Sequence, residues 1–156
     1  MSKKRSKRTD VIGIVTFGFL LLLVGTIFAI TPNLPDRISD FFKDFELREI
    51  TPHWMLPAPK SYHQVLYTAI FQFCLAFAFF QILVLGARFV LNDPIGRKAG
   101  TISSLVFWFS ASWVVSLLIA KTIEWFRFFG LLITLIGISI VVKNAIVLMT
   151  QFFRKT

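Results

Sequence analysis

The sequence predicts an all-α integral membrane protein: a four-helix transmembrane bundle with one amphipathic interfacial helix in the first outer loop. Three observations carry this prediction. The chain is 56% hydrophobic with a mean hydropathy of +0.73, whereas the apolar share of a soluble domain is about 45 to 50%. It contains four apolar runs of 20 residues or more, each long enough at about 1.5 Å per residue to cross a bilayer core of about 30 Å. Its basic residues gather on one side of those four crossings.

The helix that organises the others is the second, Gln64 to Leu91, QVLYTAIFQFCLAFAFFQILVLGARFVL, which has no charge before Arg88. Tyr67, Cys74, Gln81 and Arg88 recur every seven residues, and Phe71, Ala78 and Leu85 fill the same face. Residues at that spacing share one side of a helix, so the seam is expected to face protein rather than lipid. The predicted helices run over about 11–31, 64–92, 101–121 and 128–150, with an outer loop at 32–63. Tails at 1–10 and 151–156 are expected in the cytoplasm, 1–10 being the basic one.

In chain order, Lys3, Lys4, Arg5, Lys7 and Arg8 come first. The positive-inside rule places them in the cytoplasm, where they attract anionic lipid headgroups. Nucleic acid is the weaker reading of the +9 net charge, because no folded basic domain accompanies it. Val11 to Ile30 follows, uncharged for 20 residues and without a small-residue cleavage site, and so reads as a retained helix and not a signal peptide. Gly18, Gly25 and Ala29 lie on one side of it and leave room for another helix.

Pro32 and Pro35 end that helix, and Asn33 can cap a new one. The stretch 36–49, DRISDFFKDFELRE, is too charged to span. With Leu34 just before it, Ile38, Phe41, Phe42 and Phe45 share an apolar face, which predicts a helix docked on lipid, on its own bundle or on a partner. Thr51 to Tyr62 holds Pro52, Pro57 and Pro59 and cannot be regular helix, while Trp54 and Tyr62 suit the headgroup level. Asn92, Asp93 and Pro94 end the second crossing.

The third crossing, Thr101 to Ala120, spaces Ser112, Ser116 and Ala120 by four, a small-residue face suited to close packing. Lys121 to Arg127 is a short turn, so the third and fourth helices form an antiparallel hairpin. On the fourth, Gly130, Thr134, Gly137, Asn144 and Gln151 lie near one side. The inner side then carries ten Lys or Arg against two acids, and the outer side six against six. Both termini are therefore expected in the cytoplasm of a plasma-membrane protein.

Candidate functional residues are few. Lys143 is the one charge well inside an apolar run. Its stem can reach the inner headgroups, a reading favoured over pairing with Gln81 and Asn144 or with a subunit, and over a transport role. Gln72, Gln81 and Asn144 need hydrogen-bond partners and read as interhelical glue. No Asp or Glu lies inside any span, which disfavours proton-coupled transport. Cys74 is the only cysteine, so no intrachain disulfide, C-x-x-C pair or cysteine-based zinc site is possible. His53 and His63 match no metal-ligand spacing, and no nucleophile elbow, Walker loop or zinc-protease helix occurs. No cofactor is expected.

Asp93, Pro94, Ile95, Gly96, Arg97 and Lys98 resemble part of the cytoplasmic signature of major facilitator transporters, D-(R/K)-x-G-(R/K)-(R/K). Pro94 stands where that signature has a basic residue, Phe89 stands where it has an upstream glycine, and four spans cannot build the twelve-helix fold. The stretch therefore reads as a turn with inner basic residues. The chain is similar in size to small multidrug transporters but lacks their first-helix glutamate, and a single cysteine excludes quinone-linked disulfide enzymes. The leading expectation is a non-catalytic subunit or scaffold that associates with other membrane subunits or with itself. The alternative is a small homo-oligomeric transporter or channel. Its path would be lined by Gln72, Gln81, Ser112, Ser116 and Asn144, with Lys143 near the inner mouth, while Tyr67 and Arg88 complete the candidate polar seam.

Overall fold

A computed structural model describes residues 2–51 and 53–153, with side chains over 11–49 and 53–153. The side chains of the basic tail, and Arg154 and Lys155, lie outside the described residues. The architecture is mainly helical, with five helices and one hairpin in the order α1 (Ser2–Ile30), α2 (Leu34–Lys43), β1 (Phe45–Thr51), β2 (Trp54–Pro59), α3 (Gln64–Val90), α4 (Ile95–Ile119) and α5 (Trp125–Phe153). Four of these helices, counting α1 from Val11, are long and apolar enough to cross a membrane.

The closest backbone approaches run in a line: α1 lies on α3, α3 on α4, and α4 on α5. α3 and α4 are thus the two inner helices. Ala78 of α3 and Ala99 of α4 are fully buried, and small side chains at such points let two helix backbones close on each other. One apolar cluster joins Leu23 and Ile27 of α1, Leu34 of α2 and Leu66, Ala69 and Phe77 of α3. A second joins Tyr67 of α3, Val114, Val115 and Leu118 of α4, and Phe128 of α5.

The outer helices are lightly covered. Among the described residues Leu23 and Ile27 are the buried apolar side chains of α1, and Phe128 is the buried residue of α5. A Cβ built at Gly18, Gly25, Gly130 or Gly137 would meet nothing within 4 Å. The glycine faces read from the sequence as contact surfaces therefore receive no helix from among the described residues.

The connection between α1 and α3 differs from expectation in two ways. The amphipathic helix stops at Lys43, so Phe45 belongs to β1 and not to the helical face. The outer-loop segment that cannot be helix contains a strand, paired antiparallel with β1 from Phe45 opposite Pro59 to Glu49 opposite Met55. The cause is a knot at Asp44. Its carbonyl accepts the Lys60 N–H at 3.0 Å and its carboxylate binds Ser61 and His63, which folds the chain back on itself. In a two-stranded sheet both strands are edges, so Pro57 and Pro59 are tolerated. Asn33 does not cap α2 with its side chain. It takes a left-handed conformation, φ 53°, which Asn tolerates better than most residues, and its carbonyl accepts the Arg37 N–H at 3.0 Å.

α4 starts at Ile95, six residues before the predicted 101, because Pro94 at its N-cap begins the helix instead of delaying it. Residues 96–100 are therefore helical. α5 starts at Trp125, not 128, and continues to Phe153. α3 and α4 each end with two hydrogen bonds closed over a left-handed residue. At Asn92, Asn92 N–H reaches Phe89 O at 3.1 Å and Asp93 N–H reaches Arg88 O at 3.0 Å. At Lys121, Lys121 N–H reaches Leu118 O at 3.1 Å and Thr122 N–H reaches Leu117 O at 2.9 Å. Both are Schellman closures that satisfy the last carbonyls of the helix.

Candidate functional site

The α3 seam turns inward. Tyr67, Cys74 and Gln81 are buried, and Gln81 makes no side-chain hydrogen bond among the described residues. Gln72 is exposed on another side of α3 and lines a polar recess of about 310 Å³ with Thr31, Gln64 and Thr68. The remaining polar candidates bond to their own helices. Ser112 Oγ donates to Phe109 O at 2.7 Å, Ser116 Oγ to Trp113 O at 2.6 Å, and Asn144 Nδ2 to Ile140 O at 2.9 Å. The hydroxyl that does cross between helices was not singled out from the sequence: Ser103 Oγ donates to Ser139 O at 2.5 Å.

That bond sets the relative level of α4 and α5. The helices are antiparallel, so four residues from Ser103 toward the 91–94 turn reach Ala99, and four residues from Ser139 in the same direction reach Lys143. Lys143, exposed, therefore lies level with Ala99 and one residue from Lys98. It belongs with the basic residues at that end and not at mid-length.

At the same end Asp93 holds two cations from two helices: Arg88 Nη1 at 3.5 Å from Oδ2 and Arg97 Nη1 at 3.8 Å from Oδ1. The Lys98 ammonium stands 4.5 Å from the centroid of the Phe89 ring, a cation–π contact. These contacts fasten the α3–α4 turn.

The other polar centre lies at the opposite end, around Asp44. Ser61 N–H and Oγ donate to its two carboxylate oxygens at 2.6 and 3.1 Å, and His63 Nε2 lies 2.9 Å from Oδ2. The Ser61 and His63 hydrogen bonds hold the Asp44 carboxyl below the usual carboxylate range. Asp, His and Ser together resemble the parts of a hydrolytic triad, but the order is wrong: serine and histidine both bind the aspartate, whereas a nucleophilic serine must bond to the histidine that takes its proton. The cluster is a clamp. Beside it Phe41 makes edge contacts with Phe45, His63, Tyr67 and Trp125. Tyr62 donates its hydroxyl to Ile119 O at 2.5 Å and lies under the Lys121 ammonium.

Of the predicted interface helix, Ile38 and Phe41 pack against the apolar clusters, Phe45 meets Trp125 from β1, and Phe42 is exposed. Among the described residues no group of three or more His, Cys, Asp or Glu could hold a metal ion.

Comparison with known protein families, curated proteins and solved structures finds no match.

The geometry therefore gives two fastened ends, an apolar middle and two helices with open flanks. The spacing of Asp44, Ser61 and His63, separated by a proline-rich stretch, gives no signal in one dimension. The alternation of Phe45, Glu46, Leu47 and Arg48 was the available hint of a strand.

Proposed function

We propose that the chain is a membrane-spanning, non-catalytic subunit or scaffold of a membrane complex, residing in the plasma membrane with both termini in the cytoplasm. The dimensions support a spanning role. Ala99, level with Lys143, is 20 residues from Ile119, about 30 Å of helix, which equals the hydrocarbon thickness of a bilayer. Lys98, Arg97 and Lys143 then stand at one headgroup level and Tyr62, Lys121 and Trp125 at the other, as basic and aromatic residues do. At that level Lys143 anchors the helix.

The observation that carries the subunit reading is α5. It is 29 residues long, buries Phe128 alone among its described residues, and leaves Gly130 and Gly137 facing open space. Small residues along a membrane helix let another helix approach closely. The transporter reading has less support, because Ser112, Ser116 and Asn144 direct their polar atoms to their own backbones.

The test is purification of the full chain from its native membrane in lipid nanodiscs, followed by native mass measurement. The expected mass is not a whole multiple of 17.9 kDa, and it falls when Gly137→Leu fills the open face of α5. A mass equal to one or more copies of this chain alone, unchanged by the substitution, overturns the subunit reading.

A further inference from the structure

We infer that the groove between α1, α2 and α3 is a binding site for one phosphate-bearing membrane lipid, its acyl chain held between the helices and its headgroup at Arg37. The inference rests on the membrane-spanning reading above. The groove has a volume of about 180 Å³ and an entirely apolar lining. Its walls are Val24, Ile27 and Phe28 of α1 and Ile70 of α3, and Leu34 and Ile38 of α2 roof it at one end. Val24, Phe28 and Ile70 are 39 to 47% exposed, so the groove opens sideways, where a spanning protein meets lipid tails. Its depth suits one leaflet: it lies along the last turns of α1 and the first turns of α3, just below the level of Tyr62 and Trp125.

What makes it more than a gap filled by any hydrocarbon is the charge at its roof. A second recess shares Leu66 with the groove and is lined by Arg37, His63 and Gln64. Arg37 is exposed and makes no ion pair among the described residues. His63 is held by Asp44, and Asp36 and Asp40 flank Arg37 on α2 and offset its charge, so the recess offers a guanidinium from Arg37 and an amide donor from Gln64 to a phosphate and not a net positive surface. An acyl chain below and a phosphate above, joined across Leu66, match this pairing of apolar slot and guanidinium, which binds phosphate with two parallel N–H groups.

The experiment uses the full chain in nanodiscs of digalactosyl diacylglycerol, which has no phosphate, containing a minor fraction of phosphatidylcholine. Lipids retained after gentle detergent exchange are counted by native mass spectrometry. The wild type is expected to keep one phosphatidylcholine. Val24→Trp, which fills the slot from an exposed position, removes it, and Arg37→Glu lowers the preference for phosphatidylcholine over the phosphate-free galactolipid by about tenfold, the scale of one charge-assisted contact. Retention unaffected by Val24→Trp, or equal retention of both lipids with no effect of Arg37→Glu, overturns the inference while the spanning reading stands. Recovery of the chain in the soluble fraction after alkaline washing of membranes overturns both.

Discussion

Asp44 joins three parts of the chain that are distant in sequence: the end of α2, the closing strand of the hairpin and the start of α3. Its carboxyl is held below its ordinary value by the Ser61 and His63 hydrogen bonds, so the sign of its pH dependence follows. The contribution of the ionised group is complete above the unfolded pKa and is lost as pH falls through the lower folded pKa. Carboxyl NMR should find Asp44 titrating below 3.8. Asp44→Asn, which keeps the shape but removes the charge, should raise hydrogen exchange in 45–59 without altering α3 to α5; a midpoint at or above 3.8 contradicts the clamp. Lys60 is raised by its exposed hydrogen bond to Glu46, and such a surface pair contributes little. Gln81 is the opposite case, buried without a hydrogen bond among the described residues. Replacing a largely buried amide that has no partner by an apolar side chain of similar size removes part of a desolvation cost of about 1 to 3 kcal/mol. Gln81→Leu should therefore hold or raise the thermal midpoint in detergent, and a clear fall would show that Gln81 has a polar partner.

At the scale of elements, the packing around α3 includes a small side chain with no exposed surface. Ala78 is fully buried. Ala78→Leu should overpack this position and cost about 1 to 3 kcal/mol, read as a lower unfolding midpoint, whereas the same change at Gly137 should leave the isolated chain's midpoint unchanged. The four long helices were legible because continuous apolar runs of 20 or more residues admit no other structure. Their boundaries were less so. Pro94 was read as a stop when it also serves as a start, so α4 gained residues 95–100. The hairpin was not legible because Leu34, Ile38, Phe41, Phe42 and Phe45 continue a helical spacing across the point where the backbone changes. Phe45 fits both the helical face and the strand that follows. Only the contacts of Asp44, formed with residues 17 and 19 positions later, decide between them.

For the whole molecule, the proposed arrangement with both termini inside would make the hairpin the outermost feature. Its tip holds His53 and the exposed Trp54, and the single native thiol, Cys74, is buried. His53→Cys should therefore react with a membrane-impermeant maleimide on intact cells, with the wild type unlabelled. Labelling that appears only after permeabilisation would invert the topology. The polar seam of α3 was readable as inward-facing from its seven-residue spacing. The emptiness of the α5 face was not, because a stripe of glycines looks the same whether its partner is in the chain or outside it.

The line of contacts from α1 through α3 and α4 to α5 also bears on how the protein is made. In the proposed membrane setting a ribosome releases α1 before the other long helices, and each later rod then arrives beside one already in place. None must wait for a neighbour still to be synthesised, as the first rod of a closed ring would. The last of the four rods to arrive is the one with most of its circumference vacant, so in the proposed complex another polypeptide can dock there only after the other three are in place.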